Sequence, residues 1–351
     1  MKKHLVFKII AAGVFLIMVI QWMACKKDIS SEGEKLSFVV PEGWPAPVYD
    51  FSNNEVTSAK FELGKALFYD VKLSVTNTIS CGTCHQAFSA FAQLDHDVSH
   101  GIYDRTGKRN SPPLFNLNWH PTFFWDGRVN HIEVQPLAPL ADSLEMGEEI
   151  NSVLAKLRQD AQYPELFSKA YGDSEISSSR MLKAIAVFMG MMVSDQSKYD
   201  QYVRGEVEFT AQEKRGLSIF EDKCATCHTP PLFSDFSFRS NGMPIELSNL
   251  GIVDSGKGGI FPVVLEDLYK FKVPSLRNLK YTFPYMHNGR IGTLEGVLNH
   301  YASIDPNAPN LDPLLKNGIH LNADERKDLL AFLNTLNDEK FVKDKRFMLN
   351  P

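Results

Sequence analysis

Cysteine is scarce: the 351 residues contain five, too few for a disulfide framework. Excess positive charge is also missing. Lys and Arg number 37 against 42 Asp and Glu, a formal charge of −5, which argues against a nucleic-acid surface. Glycine (22) and proline (19) lie near ordinary usage, so collagen-like and low-complexity chains are excluded. With 44% hydrophobic and 23% charged residues, the chain has enough apolar material to bury a core, and disorder is not its main state. At ~100–200 residues per domain, the length suggests two domains.

The apolar run near the N-terminus, Ile9 to Ile20, stops at twelve residues. A membrane span needs ~20. Lys2, Lys3 and Lys8 precede it, and Trp22-Met23-Ala24-Cys25 follows it. A basic start, a short apolar stretch and a small residue before Cys form a lipoprotein-type export signal over 1–25. Cys25 would then carry lipid, placing the protein in the periplasm on a membrane anchor. An ordinary signal peptide or an uncleaved anchor is the alternative. Residues 26–45 read as a polar tether.

The other four cysteines form Cys81-Gly82-Thr83-Cys84-His85 and Cys224-Ala225-Thr226-Cys227-His228. Each is a C-x-x-C-H motif, the attachment signature of c-type haem. Two thiols three positions apart on a helical turn can reach the two vinyl groups of one porphyrin. The adjacent His then meets the iron as proximal ligand. A shared zinc site would leave the two histidines unexplained. A thioredoxin-type pair would need a preceding strand, which neither motif has. Two covalent haems are therefore expected.

A weak internal repeat accompanies the motifs. Gly64-Lys65-Ala66-Leu67-Phe68-Tyr69-Asp70 precedes the first, and Gly216-Leu217-Ser218-Ile219-Phe220-Glu221-Asp222 the second. Both read G-x-x-apolar-Phe-x-Asp, as expected of two haem domains that each begin with a helix packed on the porphyrin. Periodicity predicts helices over Ser58–Tyr69, Glu148–Leu157 and Ser178–Val193, the last apolar nearly all round and hence buried. Thr210, Thr293 and Asn322 read as starts of three more. Residues 86–147 and 229–286 are loop-rich and strand signals are few. The expected fold is mainly α: two cytochrome c-like domains, 46–205 and 206–351, with long loops around the cofactors.

Between and after the haem motifs stand Arg109-Asn110-Ser111-Pro112, Phe124-Trp125-Asp126-Gly127, Gln135 and Glu145-Met146-Gly147. Val273-Pro274-Ser275-Leu276-Arg277-Asn278 and Pro284-Tyr285-Met286-His287-Asn288-Gly289 follow. In content and spacing the chain resembles the bacterial di-haem cytochrome c peroxidases over about residues 50 to 340. That family includes the methylamine-utilisation enzyme that matures a tryptophylquinone. The resemblance implies a peroxidatic haem at Cys81, Cys84 and His85 and an electron-transfer haem at Cys224, Cys227 and His228. It implies that Glu145 is the distal acid/base, Gln135 its amide partner and Trp125 the residue between the haems. It also implies a calcium ion held by Asn110 with the backbone of Thr282 and Pro284. On the residues alone, Glu145 could instead be a helix N-terminal carboxylate, Trp125 a core residue and Asn110 a turn former.

For the sixth ligands, the resemblance points to a histidine near Ile102, for which His100 and His96 are the candidates; either could also be a solvent-exposed loop histidine. On the second haem it points to Tyr301, fourteen residues after His287, where many of the peroxidases carry Met. The alternatives are Met286, His300, or a Tyr301 that merely packs in its helix. The implied activity is reduction of hydrogen peroxide with electrons from a small cytochrome c or another periplasmic donor. An oxidase acting on a partner protein and a non-enzymatic electron-transfer cytochrome are the other readings. A homodimer is compatible with all three.

Overall fold

The computed structural model describes residues 36–94, 96–247 and 251–349. The export signal and Cys25 lie outside the described residues. From Phe38 onward the chain forms one compact unit. Among the described residues it holds eleven α-helices and one two-residue β-ladder. The helices are α1 Ser58–Tyr69, α2 Cys81–Cys84, α3 Leu137–Ala141, α4 Ile150–Gln159, α5 Tyr163–Tyr171 and α6 Ser178–Gly190. Then come α7 Lys198–Val203, α8 Ala211–Lys223, α9 Leu294–Ala302, α10 Ala323–Asn334 and α11 Glu339–Val342. Strands β1 (Phe238–Arg239) and β2 (Phe271–Lys272) pair antiparallel. The mainly helical class is as expected. No described helix is long and apolar enough to cross a membrane.

Local chemistry accounts for the helix starts. Thr57 caps α1 by accepting from Lys60 N, and Thr293 caps α9 by accepting from Gly296 N. Thr210 with Glu213 and Asn322 with Glu325 make reciprocal capping boxes on α8 and α10. Helix α6 buries Met181, Leu182 and everything from Ala184 to Gly190, as its apolar circumference requires.

Two helix pairs organise the body: α1 packs on α6, and α8 on α10. At each crossing stands the glycine of the internal repeat. A Cβ on Gly64 would lie 2.0 Å from the Ala184 carbonyl oxygen, and one on Gly216 1.9 Å from that of Asp328. The repeat phenylalanines, Phe68 and Phe220, are both fully buried. Around Phe220 gather Phe209, Phe233, Leu329, Phe332 and Leu336. Around Phe68 gather Phe91 and Phe188, with ring centroids 6.0 and 5.1 Å away. The segment after α10 returns to this first cluster: Phe341 packs tilted and Phe347 edge-on against Phe91. At the other end, Trp44 packs edge-on against Trp119, whose Nε1 donates to the Pro45 carbonyl. The segment from Phe38 to Pro45, within the expected tether, thus lies against the folded body.

Candidate haem and peroxide site

The first C-x-x-C-H motif forms its own helical turn, α2. Ser80 N donates to Thr83 Oγ1, and His85 N closes the turn on the Cys81 carbonyl. His85 Nδ1 then donates to the Phe91 carbonyl at 2.7 Å. That carbonyl is aimed by two consecutive left-handed residues, Ala90 and Phe91. The bond fixes the tautomer and leaves Nε2 unprotonated, as an iron ligand must be. Burial pushes the His85 pKa down to about 4, against the pull of the Phe91 bond, so the ring is neutral. Burial likewise pushes Cys81 up to about 12 and Cys84 up to about 11.

The second motif repeats this device. Helix α8 ends at Cys224, and His228 N bonds the Cys224 carbonyl. His228 Nδ1 faces the carbonyls of Phe233, again left-handed, and Pro274 at 3.2 and 3.1 Å. Burial lowers the His228 pKa, with both backbone bonds opposing it. A left-handed phenylalanine five or six residues after the histidine is thus part of both sites. Sequence reading did not find it, because side-chain type does not announce positive φ at Phe.

Cys81, Cys84 and His85 open onto a cavity of about 540 Å³. Its walls also carry Trp125, Gln135 and Glu145. Phe68, Leu114, Phe115, Ile185 and Met189 supply an apolar surface. Lys272 and His120 also line it, and both escaped the sequence reading. Lys272 is buried, bonds the Thr122 carbonyl and has no carboxylate within salt-bridge range among the described residues. Burial pushes its pKa down to about 7, with the charge of Asp126 opposing. Two thiols, a neutral histidine with a free Nε2, apolar walls and a buried amine able to bond an acid group fit a covalently bound porphyrin. The cysteine pairs stay apart: no group of three or more His, Cys, Asp or Glu able to hold a metal occurs among the described residues. The shared zinc site has no geometry to support it.

Glu145 sits in a turn, its N–H bonded to Asp142 and its carbonyl accepting from Ile102 N. Helix α4 begins only at Ile150, with Glu149 as its cap, so the macrodipole reading of Glu145 does not apply. Its Oε1 accepts from Ser99 Oγ at 3.3 Å. Burial, then the charge of Asp142, raises its pKa, while Ser99 and Arg128 pull it down. Gln135 is buried nearby in the same wall. Trp125 Nε1 donates to the Asn110 carbonyl at 2.9 Å, and its own carbonyl accepts from Lys272 N at 2.8 Å. It therefore joins the Asn110 loop to strand β2.

Asn110 is buried, with its N–H on the His287 carbonyl and Nδ2 on that of Asp97. Its Oδ1 is the atom left to offer a cation. Thr282 and Pro284, on the segment leading to His287, accept no main-chain bond among the described residues. His100 gives its carbonyl to Cys84 Sγ, but its ring stands beside His96, with Nε2 4.0 Å from Asp104. Tyr301 lies in the last turn of α9, with Cys224 and Cys227 in its neighbourhood. Burial pushes its pKa up to about 12.

Residues 58–208 match the di-haem cytochrome c peroxidase family. The chain is 36% identical to methylamine utilization protein MauG of Methylorubrum extorquens, over 87% of this chain and 84% of that one. It is 32% identical to cytochrome c peroxidase Ccp of Escherichia coli, over 93% and 69%. A crystal structure of a MauG-like protein associated with microbial copper homeostasis superposes with a TM-score of 0.79 at 33% identity, covering 89% of this chain and 99% of that one. The diheme peroxidase BthA of Burkholderia thailandensis shares the fold, with a TM-score of 0.70 over 88% and 91% at 23% identity. The chain belongs to the di-haem cytochrome c peroxidase family, which takes in the MauG-like enzymes and carries two c-type haems.

Proposed function

We propose that the protein is an exported peroxidase that reduces hydrogen peroxide to water with electrons from a small cytochrome c or similar periplasmic donor. One observation carries this reading: Glu145 and Gln135 share the wall of the cavity onto which Cys81, Cys84 and His85 open. When bound there, the haem supplies an iron that takes peroxide and carries electrons. Glu145 Oε1 would accept the proton from one peroxide oxygen and return it to the other as the O–O bond breaks. Two electrons and two protons per peroxide then give two waters. A carboxylate raised by burial toward the working pH suits both directions of that transfer. Gln135, uncharged and buried, orients the peroxide without lowering that pKa. Trp125 is the proposed relay for electrons arriving from the Cys224–His228 haem. Asn110, with the Thr282 and Pro284 carbonyls, is the proposed calcium site. A lipid on Cys25 would keep the enzyme at the membrane.

Peroxide-dependent oxidation of reduced cytochrome c by the di-haem protein tests the reading. Sustained turnover that Glu145→Gln lowers by about 10²–10⁴-fold supports it. Turnover indifferent to that change overturns the role of Glu145. Tyr301 favours a second reading, an oxidase acting on a partner protein. Its mark would be a persistent haem spectral change after peroxide without donor turnover. Tyr301 is proposed as the sixth ligand of the second haem, and a Tyr301→Phe variant with an unchanged EPR signal from that haem overturns the assignment. An electron-transfer cytochrome would show no perturbation of either haem by peroxide or cyanide.

A further inference from the structure

Tyr301, His300 and Met286 are the candidate sixth ligands of the second haem. One residue bonds two of them. The Asn241 carbonyl accepts from His300 Nε2 at 2.9 Å. Its Nδ2 donates to Met286 Sδ at 3.3 Å.

Each contact has a different consequence. Donating to a carbonyl requires a proton on His300 Nε2, and a histidine ligates only through an unprotonated nitrogen. The amide on Met286 engages the sulfur that would have to face the metal, and sulfur is a weak acceptor with little capacity to serve both. Met286 is further held by a left-handed backbone, with its carbonyl accepting from Gly289 N and Tyr285 N bonded to Ile291 O.

Asn241 is itself well fixed. It follows strand β1, where Ser240 O accepts from Asp312 N at 3.0 Å and Ser240 Oγ donates to Pro309 O at 3.2 Å. Its Oδ1 accepts from Met243 N at 3.4 Å, which orients the amide so that Nδ2, not Oδ1, faces the site.

We propose that Asn241 is the positioning residue that leaves Tyr301 as ligand to the second haem, by holding Met286 and His300 away from the iron. This rests on the assignment of Tyr301 as ligand. The choice matters because a thioether raises a haem's potential and an anionic oxygen lowers it.

The two arms of Asn241 separate in experiment. His300 is held by the main chain, so substitutions of the side chain release Met286 alone. Asn241→Leu removes the donor; Asn241→Asp keeps the acceptor for Met243 N and also removes the donor. Each is prepared as the full di-haem protein and checked by circular dichroism, then read by EPR, by near-infrared absorption of the ferric state and by potentiometry. The expected result is loss of the phenolate-to-iron band of the parent, appearance of the sulfur-to-iron band and a rise in the second haem's potential. The sulfur band should vanish on adding Met286→Leu. A folded variant that keeps the parent spectrum and potential overturns the role of Asn241 while leaving Tyr301 as ligand. A parent protein lacking the phenolate band overturns the Tyr301 assignment, and this inference with it.

Discussion

Among the described residues, Ser99 Oγ is the one side chain that bonds the proposed acid/base, Glu145, and it favours the ionised form. Removing it should raise the Glu145 pKa. A carboxylate acting as base is active above its pKa, so in Ser99→Ala the acidic limb of the pH–rate profile should move to higher pH. The bond is long, at 3.3 Å, so the move should be about one pH unit or less. A limb that stays put, or moves down, removes Ser99 from the proton path. A second residue-scale prediction concerns Asp200 and Arg277, a buried pair joined at 2.7 and 2.8 Å. Burial raises the Asp200 pKa, but the bonds and charge of Arg277, with Ser197, outweigh it and leave it lowered. Stability from a depressed carboxylate is present above its unfolded pKa and is lost as pH falls through the folded value. Below the ordinary aspartate range the parent should therefore lose stability that Asp200→Asn has already lost. At neutral pH that variant, which leaves Arg277 buried without its counter-charge, should cost about 3–5 kcal/mol in denaturant unfolding.

At the scale of elements, the two crossings α1–α6 and α8–α10 depend on glycine because backbone meets backbone there. The neighbouring atoms are carbonyl oxygens, which cannot rotate aside as a side-chain tip would. Gly64→Ala and Gly216→Ala should each lower stability by about 1–3 kcal/mol, and thermal unfolding would show it. An unchanged melting temperature in both would mean that the helices part without cost. Several elements were legible in the residues. Helix α1 has the limits its pattern predicts, and Thr210, Thr293 and Asn322 cap α8, α9 and α10. Helices α5 and α7 were missed, although Pro164 with a left-handed Gly172 brackets one and the Ser197–Asp200 capping box opens the other. Both are short, nine and six residues, and too few turns repeat for an apolar period to emerge.

For the whole molecule, the Asn110 loop is where distant segments meet. Asn110 bonds His287 and Trp125, while Arg109 beside it grips Asp254 through Nε and Nη2 and reaches Asp126 through Nη1. An ion at Asn110 would brace the segment carrying Trp125 and the one leading to Met286. Chelation of calcium should accordingly lower peroxide turnover without releasing either covalent haem, and added calcium should restore it. Turnover that survives prolonged chelation, with metal analysis confirming removal, overturns the calcium proposal.

The sequence alone determined what covalent chemistry and local bonding dictate: two C-x-x-C-H motifs, the helices with strong caps and periods, and the mainly α class. Those signals lie within a few residues of one another, so no distant contact is needed to read them. Only the tertiary structure decided which residues share a wall. Glu145 is sixty residues from His85 in the chain, yet both line one cavity, and Lys272 reaches the same cavity from beyond the second haem motif. The meeting of Asn241 with Met286 and His300 likewise depends on a loop after β1 folding against helix α9. The burial that moves the pKa values of His85, Glu145 and Lys272 arises only when these segments close together, because desolvation is a property of the packed volume and not of any residue type.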